Sequence, residues 1–149
     1  MTVEYRRCVG MMIINENNEI LVGRRLDHPS GYWQMPQGGI DENENPNEAV
    51  WREMQEEIGT NNATMIKKSK QWINYKIPKE TLATLPWGNK YIGQTQKWFL
   101  FRFNGNDSEI NVGTENPEFS EWRWSQRSHC WSSSPLWLRL VGATDQFDW

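Results

Sequence analysis

The sequence predicts an α/β fold in which one mixed sheet carries at least one helix, and three observations predict it. Short apolar runs bounded by turn-forming residues recur as far as Trp124. One stretch, residues 46–58, switches to the helical period and has a start signal and a stop signal at its ends. The length of 149 residues suits a single domain large enough to bury a core without staples.

The first two runs, VGMMIIN (residues 9–15) and EILVGRR (19–25), flank Asn17 and Asn18 and read as a β-hairpin. A loop, LDHPSG, leads to a short extended piece at 32–34, after which Pro36, Gly38 and Gly39 punctuate the chain. The helix over 46–58 follows. Asn45 is a good N-cap, Pro46 suits the first helical position, Glu48 stands where a capping-box acid reaches back, and Gly59 suits the C′ position. Val50, Met54 and Ile58 form its apolar stripe. QWINYKI (71–77) and QKWFLFRF (96–103) read as strands separated by a Pro- and Gly-containing excursion, with EINV (109–112) and EWRW (121–124) as shorter strands. There is no internal repeat. Residues 125–149 contain a Ser run and a Pro but no sustained period, and no element is assigned to them.

Composition narrows the function. A formal net charge of −3 argues against a general nucleic-acid coat, while leaving room for a local basic pocket. Two cysteines, Cys8 and Cys130, are too few for a disulfide framework, and Cys8 reads as a small buried residue. The N-terminal segment MTVEYRRCVG has no apolar core of a signal peptide, and no apolar run approaches the roughly 20 residues of a membrane span. A cytoplasmic protein with no membrane partner is the expectation. The ten tryptophans read mostly as core and half-buried surface. His28 and His129 lack the spacing of a metal site.

The helix poses the chemical question. Glu53, Glu56 and Glu57 share an arc of about 100° on one side of it, where like charges repel and the C-terminal end of the dipole disfavours acids. Both costs vanish if the face binds a hard divalent cation such as Mg²⁺, which takes oxygen ligands and keeps positions open for phosphate.

The surrounding spacing, Gly38-x5-Glu44-x7-Arg52-Glu53-Met54-x-Glu56-Glu57-x-Gly59, resembles the Nudix box, G-x5-E-x7-R-E-U-x-E-E-x-G-U, at every position but the last, where Thr60 replaces an aliphatic residue. YWQMPQGGID, YIGQTQKWFLFRF and PEFSEWRW extend the resemblance, over about residues 5–124, to the branch holding bacterial RNA 5′-pyrophosphohydrolases and plant-type asymmetric diadenosine tetraphosphate hydrolases. That resemblance implies an α/β/α sandwich around a mixed sheet, with a Nudix domain over 1–124 and a divergent C-terminal tail over 125–149.

It also implies roles. Glu53, Glu56 and Glu57 match metal-binding glutamates, and Glu53 or Glu56 is then available to deprotonate the attacking water. Glu118 matches an acid outside the box that reaches the same metals, and the Gly38 carbonyl completes a coordination shell. Glu44 and Arg52 match a structural ion pair. Arg6, Arg25, Gln94, Lys97 and Tyr75 match substrate-contacting positions, and Lys97 alternates with Trp98 so that the two face opposite sides of a strand. The implied cofactor is Mg²⁺, with Mn²⁺ or another divalent cation able to substitute. The implied reaction is release of pyrophosphate from 5′-triphosphorylated RNA; the alternative is asymmetric hydrolysis of diadenosine tetraphosphate to ATP and AMP. No DNA partner is expected. After Trp124 nothing matches the resembled enzymes' amphipathic C-terminal helix or the Phe-Lys/Arg pair with which the RNA enzymes grip the RNA near its 5′ end. Trp131 or Trp137 could stack on a base in its place.

Overall fold

A computed structural model describes residues 5–26 and 33–126. In chain order its elements are β1 (Tyr5–Ile14), β2 (Ile20–Arg25), β3 (Trp33–Gln34), β4 (Gln37–Gly39), α1 (Pro46–Ile58), β5 (Ala63–Lys68), β6 (Ile73–Lys76), the single-turn α2 (Lys79–Leu82), β7 (Gly93–Phe103), a 3₁₀ turn at Asp107–Glu109, and β8 (Phe119–Ser125). Among the described residues no helix is long and apolar enough to cross a membrane.

Two long strands organise the sheet. β1 and β7 run parallel in unbroken register from Tyr5 opposite Gly93 to Ile14 opposite Arg102, while every other pairing is antiparallel. The sheet is therefore mixed. β1 and β2 pair only at their turn end, Ile14 opposite Ile20. Asn18 makes that turn at φ 59°, and the Asn15 side chain accepts from the backbone N–H groups of Asn17 and Glu19. Beyond this point the two strands separate and residues 33–39 enter the gap: β3 pairs with β2, and β4 pairs with β1 by setting Val9 opposite Gly38. This wedge carries the glycine of the box into the sheet, next to the helix that carries the acids.

Alternation along β1 and β7 sends two sets of side chains to opposite faces. Val9, Met11, Ile13, Phe99, Phe101 and Phe103 meet Val50, Met54 and Ile58 of α1, and Trp51 adds an edge-on contact to Phe101 with ring centroids 5.0 Å apart. On the other face Met12, Ile20, Val22, Met35 and Trp98 form a smaller cluster. Full burial of each such side chain stabilises the fold by roughly 1.5–3 kcal/mol. The tryptophans behave largely as expected: Trp98 is fully buried, and Trp51, Trp122 and Trp124 pack half-buried against the larger cluster.

The helix obeys its signals. The Asn45 side chain accepts from the Glu48 N–H at 2.9 Å, Pro46 is the first helical residue, and Gly59 closes the end at φ 74°, its N–H donating to the Gln55 carbonyl. One strand assignment fails. Residues 109–112 (EINV) are not a strand: Asn106 caps a 3₁₀ turn over Asp107–Glu109, and the Asn111 N–H then donates to the Ile58 carbonyl at 2.8 Å. Local side-chain capping and the free carbonyls at the end of α1 use the backbone groups that a strand would need. β5, β4 and α2 were not visible as elements in the sequence. Among the described residues α1 is the one long helix, and residues 127–149, where most of the tail falls, lie outside the description.

Candidate active site

Glu53 and Glu57 point inward from α1 and are buried, with 8% and 4% of their surface exposed, whereas Glu56 faces solvent. Burial of two carboxylates one turn apart needs compensation, and Arg52 supplies part of it. Its guanidinium grips Glu44 through two bonds of 2.8 Å, and donates to Glu53 at 2.9 Å, to Glu56 at 3.0 Å and to the Gly39 carbonyl at 2.9 Å. The fork shape of Arg serves all of these at once, which a Lys could not do. Hydrogen bonding to Arg52 holds the Glu44 carboxyl down at about 2, and the same bond pushes the Arg52 pKa further above its ordinary value. The expected Glu44–Arg52 pair is thus present, and it ties α1 to the loop after β4.

The two buried acids respond differently from Glu44. Burial raises Glu53 to about 7 against the pull of Arg52. Burial raises Glu57 further, helped by the neighbouring charges of Glu118 and Glu53 and opposed by Arg25. One Glu57 oxygen, Oε2, is buried without a hydrogen-bond partner among the described residues. A buried oxygen left this way is costly unless something else binds it.

Gly38 lies directly under this cluster. A Cβ at Gly38 would fall 2.0 Å from the Glu53 carboxyl carbon, so no other residue leaves Glu53 in place. Glu118, just before β8, is half-exposed and stands 3.6 Å from Arg25, and the β2–β8 pairing brings both to Glu57. Among the described residues no three carboxylates, histidines or cysteines converge on one cation position. Arg52 draws Glu53 and Glu56 toward itself, while Glu57 lies beside Glu118 and Arg25. The donors still fit a hard divalent cation in kind: carboxylates with raised proton affinity, an unpartnered buried oxygen and a glycine that opens the backbone to them.

The residues matched to substrate contacts divide into two groups. Register places Arg6 opposite Gln94 and Gln94 opposite Tyr75, so these three form one cross-strand row over β1, β7 and β6. Gln96, fully buried, donates to the side-chain oxygens of Gln94 and Gln37 and accepts from the Trp98 indole, which orients the row. Lys97 is on the other face, the one that α1 and the acids occupy, in register with Val9, and its ammonium contacts the Lys70 carbonyl at 3.5 Å. Arg25 accompanies the acids instead of the row.

Sequence reasoning missed Gln96 and Trp87. Trp87 comes from the excursion between β6 and β7, places its ring 4.9 Å from the Arg6 guanidinium and meets Tyr91 edge-on. A Gln two residues before Trp98, on the same face of a strand that continues into an aromatic run, was a usable signal for Gln96; nothing local marks Trp87, whose partner is 81 positions away in the chain.

A NUDIX domain model matches residues 4–132, and the chain belongs to that family. Among its relatives, the RNA pyrophosphohydrolase of Rhodospirillum rubrum is 52% identical over 120 residues, covering 80% of this chain and 72% of the relative. That of Wolbachia pipientis is 48% identical over 122 residues, covering 81% and 74%. Among solved structures, the dihydroneopterin triphosphate pyrophosphohydrolase of E. coli superposes with a TM-score of 0.70 at 18% identity, covering 95% of this chain and 97% of that one. The Nudix fold expected from the box is therefore the fold observed.

Proposed function

We infer that this chain is a Nudix hydrolase that removes pyrophosphate from the 5′-triphosphate end of RNA. Identity of about half the residues to curated RNA pyrophosphohydrolases, over a stretch that includes the whole box, is the observation that carries the reading. Glu53, Glu56 and Glu57, with Glu118 and the Gly38 carbonyl, are the groups that would hold Mg²⁺. When bound, a divalent cation neutralises phosphate oxygens and lowers the pKa of bound water.

The chain's own residues do the rest. Glu53, pushed by burial to about 7, suits a base that takes the proton of the attacking water at neutral pH. Water adds to phosphorus, the anhydride bond breaks, and the RNA keeps a 5′-monophosphate. Arg25, beside Glu57, offers positive charge to the phosphate oxygens as negative charge shifts to the leaving group. Arg6, Gln94 and Tyr75 orient the nucleoside end, and Arg52 with Glu44 keeps α1 in place against β4. Side-by-side kcat/KM for triphosphorylated RNA and diadenosine tetraphosphate tests the reading. Preference for RNA with release of pyrophosphate is expected; preference for the dinucleotide would overturn it.

A further inference from the structure

Charge is unevenly spread. Residues 60–79 hold five lysines and no acid, in a chain of net charge −3. They form the outer border of the sheet, where β5 and then β6 pair with β7. Ser69 holds the break between them: its N–H donates to the Trp98 carbonyl at 2.7 Å and its hydroxyl accepts from the Trp98 N–H at 3.0 Å.

Register places Lys68 opposite Phe99, Asn74 opposite Thr95 and Lys76 opposite Gly93, all on the face that α1 covers further along the sheet. Arg7 is opposite Thr95 on the same face, and its guanidinium stands 5.3 Å from the Trp72 ring centroid. Trp72 is 37% exposed, so part of its indole is open to solvent beside that cation. No ion pair among the described residues involves Lys68 or Lys76. Gly38, Val9 and Lys97 share one cross-strand row, so this surface begins about two strand spacings, roughly 10 Å, from the acids.

Unpaired lysines beside an exposed aromatic–arginine stack have the makings of a single-strand track, in which the cations follow phosphates and the ring stacks bases regardless of sequence. We propose that Lys68, Lys76 and the Arg7–Trp72 pair bind the RNA chain beyond its first nucleotide. The proposal rests on the reading of the site as one for 5′-triphosphorylated RNA, and it gives that substrate a second point of attachment, apart from residues 125–149, which do not match a Phe-Lys/Arg pair.

The test separates the two readings. Binding of a 5′-hydroxyl oligoribonucleotide of about 12 nucleotides, within the usual site size for such tracks, is measured by fluorescence anisotropy in EDTA. This probe needs neither a triphosphate nor a metal. The double variant Lys68→Ala/Lys76→Ala should bind about 10-fold more weakly at physiological salt, and its log Kd against log salt slope should fall by about 1.4. Trp72→Ala should lose at least about 5-fold, and Trp72→Phe should keep most of the affinity. In turnover, these variants should keep kcat/KM on a triphosphorylated dinucleotide while KM for the long RNA rises about 10-fold. No binding by the unaltered protein, unchanged binding in the variants, or equal losses on short and long substrates would overturn the proposal. Binding that behaves as expected in a protein that hydrolyses neither RNA would count against the site reading alone.

Discussion

The box and the cross-strand row are built in opposite ways. From Gly38 to Gly59 the groups of the site lie on one wedge, one loop and one helix, and Arg52 ties most of them together within a few ångströms. The row of Arg6, Gln94 and Tyr75 comes from three strands and exists only because β1, β7 and β6 pair in one register. Local construction suits groups whose charges must be held against mutual repulsion, because a rigid helix fixes their spacing. Assembly across strands suits recognition of a larger object, whose parts reach several strands at once.

The largest effects should come from breaking the box. Glu57→Gln and Glu53→Gln should each lower kcat by at least about 10²-fold with the fold intact, since in the proposed function each removes a charge from the groups that would hold the cation. Gly38→Ala should do the same from the backbone side, because its methyl occupies the place of the Glu53 carboxyl. Steady-state kinetics with melting curves as a control would decide it, and wild-type-like turnover in either Glu variant would remove that residue from the mechanism.

Next in size is a pH effect on the metal-free protein. Glu53 keeps its proton to about 7 when folded and gives it up near 4.5 when unfolded. Its contribution is fully present below 4.5 and is lost as pH rises through about 7, a change of roughly 3 kcal/mol. Glu44 runs the other way. Its folded pKa of about 2 gives stability that is present above 4.5 and lost as pH falls toward 2. In EDTA the melting temperature should therefore fall between pH 5 and 7.5, and millimolar Mg²⁺ should remove that fall by binding only the native state. Identical pH profiles with and without Mg²⁺ would refute a cation site at these acids.

Smaller again is Glu118→Gln, at about 10-fold in kcat, because a half-exposed carboxylate that faces Arg25 is the more weakly held donor. No change at saturating Mg²⁺ would make Glu118 a partner of Arg25 and nothing more.

The same contrast explains what the sequence could convey. The helix, its caps and the box were legible because each signal lies within a few residues of the group it acts on, as with Asn45 and Glu48 or Gly59 and Gln55. The Glu44–Arg52 pair was legible for the same reason, being eight residues apart in a fixed frame. β5 was not, because ATMIKK is polar and mostly exposed, and its pairing with β7 makes it a strand. In the sequence β4 looks like turn punctuation, since glycines seldom form strands; the gap between β1 and β2 makes one there. EINV alternated like a strand but lay where capping of a 3₁₀ turn and the end of α1 used its backbone groups. Only the resemblance groups Lys97 with Gln94, and three positions along a strand is an odd step, which changes face.

That last step yields the smallest and most discriminating effect. Gln94 is half-buried in the row, where Gln96 fixes its amide, so it can present its remaining hydrogen-bonding groups to substrate without further ordering. A hydrogen bond of ordinary net strength makes Gln94→Ala raise KM for a triphosphorylated dinucleotide by about 3- to 10-fold with kcat unchanged. Lys97 faces the side of the sheet that carries α1 and the acids, and its ammonium makes a long contact to a carbonyl at the surface. Screened and flexible, it should matter by no more than about 2-fold on that short substrate. Equal KM increases in Gln94→Ala and Lys97→Ala would mean that even a dinucleotide is held beside the acids by Lys97 as firmly as by the row. The row would then be one side of a two-sided grip, and strand alternation would no longer separate the residues that read the nucleoside from those that do not.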